Sequence, residues 1–593
     1  MRISRLVFLA LALGCAVVPP PSRGASPPAG VTVKLIAIND FHGSLAPTET
    51  VRVPDPAHPG VMVSEPVGGA AYLATAVRRL EAENPRSIVV GAGDLVGASP
   101  LGSALFHDEP TIQALNAIGL AYTSVGNHEF DGGKAELLRK QHGGCRPGGT
   151  IGKDTCFIDG TFAGAAYAYL AANVIDDDTG KTLFPPYAIK WIVTGAGGSV
   201  AIAFIGIVLK DTPTVTTAFG VRGLTFTDEA DAINALVPQI NAQGVHAIVV
   251  LIHQGIATKV GFDDHSCAGA SGELLPILDR LDPSIKLVVS GHTHRAYICP
   301  SGQGTQHSTV FYTSAGKYGQ AVSDIDLTID PATDTIAHIA AHNELIVNDA
   351  APNPAPSAYP AFTADPAIAA LVARYAAATK PLVNRVIGRI TGDFTTEGSA
   401  TASGGSGEST LGDLIADARL EATRAQGAVA AFMNEGGMRS TLHVRALDGS
   451  KTPGDVLYGE TYAVEPFGDL LYTETVTGAQ LYTMLGEQWP HANGAELLSV
   501  SRGFHYVWDA NLPDGASKVV PGSVTIGGRP VVMTGTYRVT VDAFLIGGGD
   551  GFVALAGGAD RVAGDIDRDV LDAYITAHSP LTPGPRDRIQ RVH

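Results

Sequence analysis

The chain has 593 residues, 45% hydrophobic and 17% charged, a composition too apolar for a disordered polymer and a length too great for one core. Two sizeable domains are therefore expected. A formal net charge of −18 excludes a broad nucleic-acid or anionic-membrane surface, because both need basic patches, so an anionic substrate must be drawn in locally by cations or single arginines.

In chain order, Arg2 and Arg5 precede an apolar run from Leu6 to Val18, followed by small residues and prolines through Pro28. This layout predicts a cleaved signal peptide over residues 1–25 and an exported, periplasmic or extracellular protein. Cys15 leaves lipoprotein anchoring as a secondary alternative, since Ala12 stands where such signals usually carry leucine. No other run is apolar for long enough to span a bilayer. Four cysteines remain, Cys145, Cys156, Cys267 and Cys299, without CxxC spacing. An even number in an exported chain predicts disulfides, and short loops favour Cys145–Cys156 and Cys267–Cys299.

From Val31 to about Leu345, β-branched runs alternate with helical stretches, the pattern of an α/β domain placed at 31–348. The runs 33–38, 87–90, 122–125, 248–252 and 287–289 each lead directly into polar, ligand-type residues. Loops at strand ends are where α/β folds assemble sites, so these segments are expected to converge. They are NDFHG with Asp40 and His42, GAGDLVG with Asp94, GNHEFD with Asn127, His128, Glu129 and Asp131, LIHQG with His253, and SGHTH with His292 and His294. Singly each is ordinary: Asp94 reads as well as a helix cap, and His253 as a satisfied core histidine. Together, each would need its own partner for a buried polar group unless they share one site.

A Pro/Ala-rich stretch then predicts a linker with a helix over 349–382, the helix running from Ala367 to Thr379. A second domain is placed at 383–593. Its first helix starts near Thr410, with Leu411, Leu414, Ile415, Ala418 and Ala422 at helical spacing and Ser409 or Thr410 as cap. The Gly/Ser-rich segment 398–408 reads as a mobile loop. MNEGGMRS joins close-approach glycines to Arg439, and EPFGD and FLIGGGDGF set Phe467 and Phe544 beside glycines, where exposed aromatics can stack a base.

Taken in order, the five ligand-bearing turns resemble those of calcineurin-like metallophosphoesterases, and the second half resembles the C-terminal domain of the 5′-nucleotidase family. The resemblance covers nearly all of the mature chain. It implies an α/β protein with an N-terminal four-layer α/β/β/α metallophosphoesterase domain and a separate C-terminal α/β nucleotide-binding domain. One divalent ion would be held by Asp40, His42, Asp94 and His294, the other by Asp94, Asn127, His253 and His292; many relatives have glutamine where His294 stands. Such a donor set suits zinc, manganese, cobalt or iron better than calcium or magnesium. Two cations about 3.5 to 4 Å apart clamp phosphoryl oxygens and lower the pKa of bound water. His128 would stabilise the attacked phosphate and assist the leaving oxygen, with Asp131 orienting its ring.

For the second half the resemblance implies that Arg439 meets phosphate, that Phe467 and Phe544 stack the base, and that Asp550 binds ribose hydroxyls, with Asn434 and Gly437 lining the pocket. This sequence departs from relatives at three places: ITGDFTTEGS has no arginine, Glu435 replaces proline or glycine, and Asp469 stands where asparagine is frequent. Aspartate there could accept from a base amino group and would repel a second anion. The expected activity is hydrolysis of nucleoside 5′-monophosphates by a monomer whose domains hinge, with no nucleic-acid polymer as partner. A 2′,3′-cyclic-nucleotide phosphodiesterase with 3′-nucleotidase activity, or a nucleotide-sugar pyrophosphatase, needs the same metals. A non-catalytic nucleotide-binding surface protein is the alternative from another class, and a sulfur-compound hydrolase is disfavoured by the paired aromatics.

Overall fold

The apolar runs of the first half become strands of two six-stranded sheets. The computed structural model describes residues 30–593 except 48, 59, 195–197, 218, 301–302, 307, 351–356, 397–404, 446–450, 490–494 and 514–516. The expected signal peptide and Cys15 lie outside the described residues. In the first sheet Val31–Ile38, Ser87–Ala92, Leu120–Ser124 and Ala168–Leu170 run parallel, with Ala321–Asp330 and Thr335–Leu345 antiparallel beyond Val31–Ile38. In the second, Ser199–Val208, Ala247–His253, Leu287–Ser290 and Phe311–Ala315 run parallel. Antiparallel edge strands Tyr187–Val193 and Ala296–Cys299 close it.

Alternation along each strand explains why the sheets stack. Val33, Leu35 and Ala37 enter a core shared with Val200, Ile202, Phe204, Val249 and Leu251 of the other sheet. Ile36 and Ile38 point the opposite way, into a core with the helices Ala70–Glu83 and Glu109–Ile118. Ile248, Val250 and Ile252 likewise face the helices Glu229–Asn241 and Leu274–Arg280. Strands buried on both faces read as unbroken apolar runs, and the result is four layers, helix, sheet, sheet, helix. The same alternation puts His253 in phase with Val249 and Leu251, on the face between the sheets.

In the second half a five-stranded sheet runs Leu498–Val500, Ala430–Asn434, Thr536–Asp542, Leu470–Thr477, Ala559–Ile566. Helix Thr410–Thr423 covers one face through Leu411, Leu414, Ile415 and Ala418. Helix Gly478–Gly486 covers the other through Leu481, Met484 and Leu485. Ser409 caps the first helix by accepting from Gly412 N. Register places Asp542 opposite Leu471 and Ile566 opposite Leu470, so Asn434, Phe467, Phe544 and Asp567 all emerge at one end of the sheet.

The helix expected over Ala367–Thr379 spans Pro366–Val383, because Asp365 caps it by accepting from Ala367 N and Ile368 N and proline suits its first turn. It is no free tether. Tyr375 packs against Phe106 and Phe157 and donates to Gln113, fixing the helix to the first half. The Gly/Ser-rich segment read as mobile ends in a buried residue: Glu408 is 0% exposed and accepts from the N–H groups of Asp587, Arg588 and Ile589. The rest of that segment up to 404 lies outside the described residues. Both expected disulfides, Cys145–Cys156 and Cys267–Cys299, are formed. Among the described residues no helix is long and apolar enough to cross a membrane.

Gly206 marks where Ser199–Val208 crosses Leu170 at closest approach, since a Cβ there would collide with the Leu170 side chain and carbonyl oxygen. Gly206→Ala should destabilise the protein by about 1–3 kcal/mol and lower its thermal midpoint. An unchanged midpoint in a thermal melt would mean that the strands can part at no cost.

Candidate metal centre and substrate pocket

The parallel strands of both sheets end along one edge of the sandwich, and the polar turns follow there. Asp40 and His42 come two and four residues after Val31–Ile38, and Asp94 two after Ser87–Ala92. Asn127 follows Leu120–Ser124, His253 closes Ala247–His253, and His292 and His294 follow Leu287–Ser290. Asp40, His42, Asp94, His292 and His294 all have positive φ, between 46° and 73°. Such left-handed conformations are uncommon for residues with a Cβ and concentrate at functional sites, where the surrounding structure holds them in place.

Two groups of donors result. Ligand atoms of Asp40, His42 and His294 lie within 4.8 Å of one another, and so do those of Asp94, His253 and His292. Asp94 lies between them, its Oδ2 3.6 Å from His42 Nε2 and 3.0 Å from His253 Nε2. Asn127 Oδ1 is 3.1 Å from His253 Nε2, while its amide donates to Val215 O at 3.0 Å. His42 Nδ1 faces Gly97 O at 2.9 Å and His253 Nδ1 faces Ala92 O at 2.8 Å. A carbonyl accepts only from an N–H, so each bond fixes the tautomer that leaves Nε2 as a lone pair. His42 Nε2 in turn lies 3.1 Å from His294 Nε2. Burial holds His42 and His294 well below the ordinary histidine pKa and lowers His292 to about 3. Burial would lower His253 as well, but Asp94 beside it outweighs burial and raises it to about 9, so a cation there would take the place of that proton. Imidazoles with converging Nε2 atoms, joined by carboxylates, fit transition-metal cations.

Asp40 is 0% exposed, and burial raises its carboxyl to about 7 against the pull of His253, so a cation beside it would be strongly favourable. Asn39 orients it, donating to Asp40 Oδ2 and to Gly316 O, both at 2.6 Å. Glu129 has a comparable task. Its carboxylate accepts from Asp94 N, Leu95 N, Val96 N and Gly126 N at 2.9, 2.9, 3.3 and 2.5 Å, clamping the second turn to the third.

His128 Nδ1 lies 3.0 and 3.1 Å from the two carboxylate oxygens of Asp131, and its backbone N–H donates to Asp94 Oδ1 at 2.9 Å. Burial disfavours its charge, but Asp131 and Asp94 outweigh burial and raise its pKa. Thr216 Oγ donates to Asp131 Oδ1 at 3.1 Å, an orienting contact from a loop that carried no sequence signal. Asn39 and Glu129 stood inside recognised motifs, but nothing in the sequence distinguished an orienting role from a ligand.

The second half meets this edge. Arg439 Nη2 lies 3.4 Å from His42 Nε2, and its buried Nε has no hydrogen-bond partner among the described residues. The Phe467 ring stacks on His128 with centroids 5.6 Å apart and planes at 20°, with the Arg439 guanidinium 5.9 Å from its centre. Asn434 donates to Asp550 Oδ2 at 2.7 Å, and a Cβ on Gly437 would come within 2.8 Å of Asn434 Oδ1, so these three lie together. Burial raises Asp550 to about 6 and Asp469 to about 7. Phe544 is half-buried in the short helix Ala543–Ile546 that leads to Asp550, and among the described residues no ring contact joins it to Phe467. The sequence-derived residues are thus assembled in one region, with Phe467 turned towards His128 rather than paired with Phe544.

Residues 33–296 match the family model for calcineurin-like phosphoesterase and residues 386–557 that for the 5′-nucleotidase C-terminal domain. The chain is 30% identical over 581 residues to a cell wall protein of Listeria monocytogenes, covering 92% of this chain and 67% of that protein. It is 28% identical over 523 residues to the endonuclease YhcR of Bacillus subtilis, covering 88% of this chain but only 38% of the endonuclease. The crystal structure of a 5′-nucleotidase precursor from Thermus thermophilus superposes with a TM-score of 0.71 at 25% identity, covering 95% of this chain and 99% of that one. With both family domains in order along a sandwich that gathers two donor groups at one edge, the chain belongs to the 5′-nucleotidase family of metal-dependent phosphoric ester hydrolases.

Proposed function

We propose that the protein hydrolyses nucleoside 5′-monophosphates, with one divalent ion on Asp40, His42, Asp94 and His294 and a second on Asp94, Asn127, His253 and His292. The approach of Arg439 Nη2 to His42 Nε2, 3.4 Å, supports this reading most directly. That contact puts the guanidinium at the donor edge, where an anion bound by a metal pair would also come within its reach, and a phosphate is an anion that an arginine fork and a metal pair both bind. When bound, the two cations polarise the phosphoryl group and supply a nucleophilic water at neutral pH.

The chain's own residues do the rest. Arg439 holds a phosphoryl oxygen, and His128, whose charged form Asp131 favours, faces the developing charge and can deliver a proton towards the leaving ribose oxygen. Asn434 and Asp550 offer hydrogen bonds to a sugar, and Phe467 and Phe544 offer apolar faces to a base. Export is part of the proposal: the charged and apolar start of the chain and two disulfides both suit an oxidising compartment.

Stripping the protein with a chelator should abolish phosphate release from AMP, and zinc, manganese or cobalt should restore it; release that persists in metal-free protein would refute the reading. His128→Ala should lower kcat by about 10²–10⁴-fold with metal content intact by elemental analysis. Glu129→Ala leaves four backbone donors without their acceptor, so it should cost metal content and thermal stability together.

A further inference from the structure

Arg419 lies in helix Thr410–Thr423, 1% exposed and outside every motif that suggested a site. Its Nη1 donates to Phe432 O at 2.9 Å and to Asp542 Oδ2 at 2.8 Å. Nη2 donates to Glu465 Oε1 at 2.9 Å and lies 4.0 Å from Asp567 Oδ2. Each anchor is a short step from a candidate substrate residue. Phe432 precedes Asn434 by two positions, Glu465 precedes Phe467 by two, and Asp542 precedes Phe544 by two. Asp567 N donates to Asp469 O at 2.9 Å.

We propose that Arg419 is the positioning residue of the nucleoside pocket, one planar fork that fixes the spacing of the two aromatic segments and of the strand end carrying Asn434. The proposal rests on the nucleotide reading above. Asp542 passes the constraint on, because its other oxygen accepts from Leu545 N at 2.8 Å and so starts the short helix Ala543–Ile546 that carries Phe544. Stability alone gives little reason for the arrangement: burying one guanidinium among three carboxyl groups incurs a large desolvation cost that apolar packing would avoid. Geometry gives a reason, since a guanidinium has donors in fixed directions and can hold three segments at once, whereas an ammonium is a point charge.

Arg419→Lys, Glu465→Gln and Asp542→Asn test this in the full-length, metal-loaded protein, with AMP and 4-nitrophenyl phosphate as paired substrates. The aryl ester needs the metal edge and Arg439 but has no nucleoside to position. The expected result is a KM for AMP raised about tenfold or more with kcat on the aryl ester nearly unchanged. Glu465→Gln and Asp542→Asn leave Arg419 with its remaining partners, and asparagine can still cap the Phe544 helix, so the test stands even where Arg419→Lys fails to fold. An unchanged KM for AMP, or parallel losses on both substrates, overturns the role of Arg419. Wild-type protein that hydrolyses the aryl ester but not AMP overturns instead the nucleotide reading on which the role rests.

Discussion

Two carboxylates and four imidazoles brought to one edge of a β-sandwich are the constraint on which the first half depends. Asp40, Asp94, His42 and His253 are at most 1% exposed, and removing such groups from water is unfavourable unless their lone pairs are used. The backbone gives up comfort to bring them there, with five of the donor residues held in left-handed conformations. What holds them is a layer of ordinary hydrogen bonds: Asn39 on Asp40, the carbonyls of Gly97 and Ala92 on His42 and His253, and Glu129 across two turns. The two sheets supply the rigid frame, since each donor-bearing turn continues a strand that is packed on both faces.

The same logic organises the second half at a different scale. Its candidate pocket residues come from three separated stretches, and a core ion network beneath them, centred on Arg419, sets their spacing. In both halves the residues that would touch substrate or metal sit at or just beyond strand ends, and buried polar groups beneath them, Glu129 in the first half and Arg419 in the second, hold several of those segments. Function and fold are therefore coupled through hydrogen bonds rather than through the apolar core.

That coupling explains what could be read from the chain. The strands were legible because burial on both faces leaves unbroken β-branched runs, and the ligands because each run ends in a dense polar turn. Ser409 and Asp365 announced helix starts through capping chemistry that is local in sequence. Glu408 was misread as part of a mobile loop because its partners, the N–H groups of Asp587 to Ile589, lie at the far end of the chain. Thr216 and Arg419 were invisible for the same reason: a threonine or arginine acquires a role only from partners that folding brings to it. Glu129 stood in plain view inside GNHEFD, but its composition could not tell a ligand from a clamp.

The contact between the halves bears on how substrate is accommodated. Phe467 and His128 lie with ring centroids 5.6 Å apart and planes nearly parallel, a separation at which two rings already touch. No base fits between them. On the nucleotide reading proposed above, a base that stacks on Phe467 takes the face turned away from His128, while the near face stays against that imidazole. His128 then has an apolar wall on one side and Asp131 beneath it, which strips water from the imidazole and strengthens its pairing with the carboxylate. The aromatic proposed to serve the base thus also shields the group proposed to serve the phosphate, so that one ring contact ties the two halves of the site together.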